Sequence, residues 1–534
     1  MEPFVEHLHT NYVPTEPEID LIHTHLAPYV AELARLESLI RDLSAQRDRI
    51  KAYVEPYRAL ASQGRRIPQE LLEQIFLDCL PEHRNAAMSP TEAPLLLGHV
   101  CSEWRSIAFG FPQLWARLHV SSEFMSPSMM EELQTWLARS ANSPLTISLQ
   151  CAPEWEDVDD MDSPPFSLAR ILWKLTDVSE RWKSIRIHGI SVREWYRHLG
   201  PELSIDAHLL RDIEITFDGD DWDSWDLAHR LLTSSIMNGS TPHSVSIHAR
   251  YPWRFVPREA ISCAHLSHLT LAFLPTMAGV PDHRHFNVKW AFELLDRCSR
   301  LESLKIHLYD SRIDLEDVAF EIHLPLMRSF VVLDGSLVLS AILADFLESL
   351  TMPNLSELQL PKPLKSWKYD SSHRAALRPS FFHRLAEKSP LISKVRIPMP
   401  YFTEQALSEN LGQLTLLTAF RTCNAICFAP TVTRHLLESF VSVAPQQLLS
   451  ELVELILENE VDDVDFWTLL REATLCRLTI RRVEIGFKNL PRRPDVDLQT
   501  DITGFRARGV VVTVNFEPAN PVPGPPSPWA GVQK

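Results

Sequence analysis

From residue 145 onward one short apolar signature keeps returning, and it limits the fold more than any other feature of the chain. Its form is apolar-x-x-apolar-x-apolar. Clear copies stand at Trp182/Ile185/Ile187, Leu210/Ile213/Ile215, Leu266/Leu269/Leu271, Leu301/Leu304/Ile306 and Met327/Phe330/Val332. Others follow at Leu355/Leu358/Leu360, Ile392/Val395/Ile397, Leu452/Leu455/Leu457 and Leu475/Leu478/Ile480. Pro242/Val245/Ile247 and Leu411/Leu414/Leu416 are weaker. The last two apolar positions of each copy alternate as the side chains of a strand do. Helix-like segments such as "WAFELLDRCSR" and "LSAILADFLESL" lie between copies. No copy can bury its own apolar faces, so neighbours must stack. The expected fold class is α/β: an irregular β/α solenoid over residues 140–517, with strands on its concave side and helices outside.

The same alternation selects candidate binding residues. Lys305 and His307 fall between the apolar positions of "LESLKIHL", Gln359 within "LSELQL" and Arg396 within "ISKVRI". By this rule Arg186, Glu214, Lys305, Gln359 and Arg396 project from one face. They are polar and mixed in sign. A plain solvated face is the competing reading, and the sequence leaves both open.

Ahead of the repeats the chain is helical in pattern. Residues 1–27 are aperiodic, with Pro and His, and are expected to be disordered. Within the segment 28–60 the chain from Pro28 to Glu55 reads as one long helix ended by Pro56, with Leu33, Leu36, Ile40, Leu43, Ile50, Val54 and Tyr57 three and four apart. That is a heptad seam broken only at Arg47. It fits either a second copy of the chain, through residues 28–57, or the helices that follow. Then comes "RRIPQELLEQIFLDCLPE", whose apolar residues line one helical stripe between Pro68, suited to a first turn, and Pro81. A polar loop, "PEHRNAAMSPTE", leads to a second helix expected from Pro94, and "FPQLWARLHV" adds a turn and a strand-like exit. The Pro-rich tail 518–534 should be extended and unpacked.

Composition removes several function classes. A net charge of -17 argues against nucleic-acid binding, which needs a basic stripe to displace counterions. Glycine numbers only 15, and no phosphate-cradling G-x-G-x-x-G or G-x-x-x-x-G-K-[ST] occurs, so no nucleotide cofactor is expected. The pairs His7/His9, His23/His25 and His283/His285 lack partners for a tetrahedral metal site and read as solvated loops. Cys423 and Cys427 read as packing. "FDGDDWDSWD" puts Gly219 at the wrong place for an EF-hand, and with "EWEDVDDMD" it reads as a solvated acidic loop or a contact for a basic partner. The opening "MEPFVEHLHTNY" has no apolar core of a secretory signal. The greasiest stretch is interrupted by Asp334 and Asp345, so no membrane span is expected. Eight scattered cysteines suit the reducing cytoplasm or nucleus. No catalytic constellation can be assembled, and the chain is not expected to be an enzyme.

Read together, the two helices resemble an F-box. The matching stretches are "IPQELLEQIF", "LP" at Leu80 and Pro81, "VCSEWR" and "LW" at Leu114 and Trp115, in the family's order and over residues 65–120. Ile67 stands where leucine is common, and the intervening loop is longer than usual. With its preceding helix and degenerate repeats, the chain looks like the F-box family of mushroom-forming fungi. The repeats resemble leucine-rich repeats that have mostly lost the asparagine or cysteine after the strand. This resemblance implies that Ile67, Pro68, Leu71, Leu72, Ile75, Phe76, Leu80, Pro81, Leu96, Val100 and Trp104 hold a Skp-type adaptor and through it a cullin. It also implies that the solenoid holds a target protein. The function expected is a substrate receptor of a Skp–cullin–F-box ubiquitin ligase; a scaffold that binds the adaptor without assembling a ligase is the alternative.

Overall fold

A Thr-x-x-Glu step starts the first helix. The computed structural model describes residues 4–61, 63–123, 125–151, 168–191, 195, 205–217, 241–249, 265–273, 295–307, 321–333, 346–361, 381–397, 411, 413–423, 431–442, 449–460, 464–476, 479–487 and 498–516. It divides into two compact units, residues 1–75 and 76–534. In the first unit α1 spans Glu16–Leu60. The Thr15 N–H and hydroxyl both donate to the Glu18 carboxylate at 2.7 Å, the glutamate half of a capping box on the first turn. Those bonds hold the Glu18 carboxyl below the usual carboxylate range. The expectation of disorder through residue 27 is therefore corrected, because "TEPE" caps a helix that runs on through Pro28. Pro56 does not end it either. α2 follows at Gln69–Asp78, and the division between units falls inside it.

Among the described residues the second unit is built on fourteen parallel strands that pair strictly in chain order. These are β1 (Arg117–Ser121), β2 (Leu145–Gln150), β3 (Trp182–Ile190), β4 (Asp212–Phe217), β5 (Ser244–Ala249), β6 (His268–Phe273) and β7 (Ser303–Ile306). β9 (Ser329–Val332), β11 (Glu357–Gln359), β12 (Lys394–Arg396), β13 (Ala419–Cys423), β14 (Glu454–Glu460), β15 (Arg482–Phe487) and β16 (Val511–Phe516) continue it. β8 (Ile322–His323) and β10 (Leu350–Thr351) form a separate two-stranded pair. A doubly wound sheet would reverse its strand order somewhere; this one never does, which is the signature of a stacked solenoid. Along the ladder Ile185, Ile213, Val245, Leu269, Leu304, Phe330, Leu358, Val395, Phe420, Leu455 and Val483 are buried to within 3%, and each occupies the same register position. Gly189 takes φ +76 at an irregularity where β3 slips past β4. A Cβ there would meet the Cys151 carbonyl oxygen at 3.0 Å, so only glycine fits without strain.

Two repeat frames are corrected. Leu475 belongs to a helix (Val464–Cys476), and the strand is β15, whose inward residues are Val483 and Ile485. Near β13 the frame is Leu417 and Phe420, both buried, while Leu416 is 47% exposed. Near β13 the adjacent Leu416 and Leu417 offered competing frames, and before β15 Leu475 and Leu478 offered one five residues ahead of Ile480, Val483 and Ile485.

The ladder also begins earlier than residue 140. β1 lies within the stretch that resembles an F-box, and the loop before it is not solvated. Asn85, Ala86 and Ala87 are buried, and the His119 N–H donates to the Ala86 carbonyl at 2.7 Å, a parallel bridge on the outer edge of β1. Arg84 pairs with Glu92, and Asn85 reaches Ser148 at 3.1 Å. The loop is an edge cover, which a sheet of this length needs. The second helix is corrected too. Residues after Pro94 form a short turn (Leu96–His99), and α3 (Ser102–Gly110) starts afresh with the Cys101 sulfur accepting the Trp104 N–H. α3 and the turn at Pro112–Trp115 lead into the core through Trp115, whose indole N–H donates to the Ala108 carbonyl at 2.7 Å. From α4 (Pro127–Arg139) the Trp136 indole donates to the Trp115 carbonyl at 2.9 Å.

Candidate functional site

The eleven residues expected to meet an adaptor divide by exposure. Leu71 is 57% exposed, Ile75 41%, Leu96 45% and Val100 57%, and Pro68 is exposed as well. Large aliphatic side chains left in water on a short helix and a turn are unusual in a solvated role. Ile67, Leu80, Pro81 and Trp104 are half-buried. Leu72 and Phe76 are 1% and 0% exposed, so both are corrected from interface to core. Helical geometry accounts for this: positions 72 and 76 share one face, and 71 and 75 the next. Phe76 packs against Trp104 at 5.0 Å between ring centroids.

The five residues expected to meet a target fall into one line. Register pairs Ser148 with Arg186, Arg186 with Glu214, Glu214 with Ser246, Ser246 with Thr270 and Thr270 with Lys305. It continues through Val331, Gln359, Arg396 and Arg421. Arg186 pairs with Glu214 at 3.4 Å. Lys305 is exposed and forms no ion pair among the described residues. A cavity of about 560 Å³ opens along this row. Glu214, Lys305, Gln359 and Arg396 line it, and Arg186 stands just outside, beside Glu214. Beyond Glu214 the row carries Lys305 and Arg396, which line the cavity, and then Arg421 outside it, on a chain whose net charge is -17. Such a surface suits an acidic side chain presented by another protein.

Histidines edge the same cavity. His248 and His307 line it, and His188 lies in their row across Thr216. His248 bonds Ser246 at 2.9 Å and His188 bonds Thr216 at 3.2 Å. Burial pushes His248 below its ordinary value of 6.5; Glu214 opposes this, while His188 and Lys305 add to it. Burial also lowers His188, against Glu214 and with Arg186. A histidine with a lowered folded value favours the fold while neutral, so its contribution is present above the unfolded value and is lost as pH falls through the folded one. Thermal midpoints should therefore fall on acidification below about pH 6.5, and His248→Gln should flatten that fall. An unchanged slope in the variant would remove His248 as its source.

No family model matches the chain, and no curated protein matches it. Among solved structures it is similar to the crystal structure of the Rad7 and Elc1 complex in yeast, at 14% identity and a TM-score of 0.37. That likeness covers 94% of this chain and 98% of the other. It is too loose to carry fold or function across.

Sequence reasoning missed part of the cavity. His248 sits two positions after Ser246 in "SVSIHA", where the alternation rule would have found it had the weak copy been read through. Val331, Ala272 and Leu333 give the cavity an apolar part. Val331 occupies the polar row yet is 7% exposed, and apolar residues on both sides of it hid its register. Among the described residues no group of three metal-ligating side chains forms, and no helix is long and apolar enough to cross a membrane. His283/His285, Cys427, "EWEDVDDMD", most of "FDGDDWDSWD" and the tail lie outside the described residues.

Proposed function

We propose that this chain is the substrate-receptor subunit of a Skp–cullin–F-box type ubiquitin ligase. The observation that carries it is the exposure of Leu71 and Ile75 within a stretch whose residue order matches an F-box. The polar row of the sheet then holds the target, and the chain supplies proximity while partner enzymes transfer ubiquitin. No residue of this chain performs chemistry in this reading.

Deleting residues 60–120 is a poor test, because Trp115 and β1 belong to the core of the repeats. The better one is affinity capture of the full chain, wild type against Leu71→Asp/Ile75→Asp, with quantitative mass spectrometry. An adaptor and a cullin recovered together, and lost together in the variant, support the receptor. An adaptor recovered without a cullin supports the scaffold. Recovery of neither overturns both readings.

Target binding is tested separately by Lys305→Glu/Arg396→Glu. Both positions line the cavity, so an acidic segment seated there would meet two reversed charges. At least one captured protein should disappear while adaptor binding persists. A capture set identical to wild type would move recognition off this face.

A further inference from the structure

α1 carries more seam than the pattern of residues 33–57 implies. Because the helix starts at Glu16, Ile19, Ile22, Leu26 and Tyr29 continue the same three-and-four spacing without a break. The seam spans nearly six heptads of a 45-residue helix, about 67 Å long at 1.5 Å per residue. Its middle is bare: Leu33 is 58% exposed, Ile40 63% and Ile50 64%. Pro28 occupies an outer heptad position, away from the seam.

We infer that α1 pairs with α1 of a second copy, and that the pair is antiparallel. The charges decide the direction. In a parallel pair Arg47 would face Arg47 inside the seam, and Glu32 would face Glu37 across each flank, three like-charge contacts in all. Antiparallel pairing over residues 19–57 sets each seam position n of one copy opposite position 76 − n of the other. Arg47 then lies over Tyr29, a cation against an aromatic face. Leu33 meets Leu43, and Leu36 meets Ile40. At the two ends Arg58 comes beside Glu16. Glu37 facing Glu37 at the centre is the like-charge contact that remains. A shift by one heptad shortens the overlap and takes Arg47 off Tyr29. This pairing involves the first unit alone and does not rest on the ligase reading.

Disulfide trapping in the full chain tests both partner and direction. Leu33→Cys and Leu43→Cys are placed in one chain, oxidised mildly and digested with trypsin, which separates the two sites at Arg35 and Arg41. Links between positions 33 and 43 are the expected product, since within one helix those sites are about 15 Å apart and cannot join. Links of 33 to 33 and 43 to 43 would overturn the direction. Sedimentation of the wild-type chain covers the case in which the cysteines disturb the seam. A dimer at roughly ten micromolar is expected, and Ile40→Asp/Leu43→Asp should weaken it by about a hundredfold or more. A wild-type chain that is monomeric at that concentration overturns the pairing.

Discussion

Leu71→Asp/Ile75→Asp is expected to weaken adaptor binding by roughly a hundredfold or more, about 3 kcal/mol, without moving the thermal midpoint. Fully burying such a side chain is worth about 1.5–3 kcal/mol, and covering what remains exposed on Leu71 and Ile75 gains roughly half of that each. In their place the variant puts carboxylates into a contact that excludes water, where an unpaired charge is costly. In the free chain the same carboxylates sit in solvent, because Leu71 and Ile75 are 57% and 41% exposed. The contrast is with Leu72→Asp, one residue along and 1% exposed, which should unfold its surroundings. Calorimetry with a purified Skp-type adaptor reads the first effect and a melting curve the second. Unchanged affinity in the double variant would mean that this helix is not the docking surface.

Trp136→Ala carries the largest expected loss of stability, about 3–5 kcal/mol. The ring is fully covered and stands edge-on to Trp115, with centroids 4.9 Å apart. Removing it leaves a cavity and also strips the Trp115 carbonyl of its indole donor. Because Trp115 in turn holds the end of α3 through Ala108, the damage should spread into the stretch that resembles an F-box. Urea unfolding followed by fluorescence and by circular dichroism should shift as a single transition. A loss under about 1 kcal/mol would mean that this tryptophan pair does not join the two regions.

How far the sequence could be read follows from which forces act locally. Alternation along a strand is a property of adjacent residues, so Arg186, Glu214, Lys305, Gln359 and Arg396 could be placed on one face before any strand was paired. Their common row depends on register, which only the pairing of neighbours sets. The start of α1 was legible in "TEPE", since a threonine and a glutamate three apart cap a helix; prolines at 17 and 28 obscured it. Leu72 and Phe76 could not be told from Leu71 and Ile75 by composition, as all four lie on one broad stripe. Burial of "RNAA" was the least legible feature. A short polar loop covers a sheet edge only because that edge exists, and nothing within the loop announces it.

The strict chain order of the ladder has a consequence for how the molecule is made. Within the fourteen-stranded ladder each strand bonds only to the ladder strands just before and just after it, so none of them waits for a distant partner. A ribosome releases the chain N-terminus first, at about 5–20 residues per second. Each repeat therefore leaves the exit tunnel onto a surface that is already formed, and the growing end is the one edge left open at any moment. Synthesis and assembly run in the same direction, and an incomplete chain stopped after any repeat is a shorter version of the same stack.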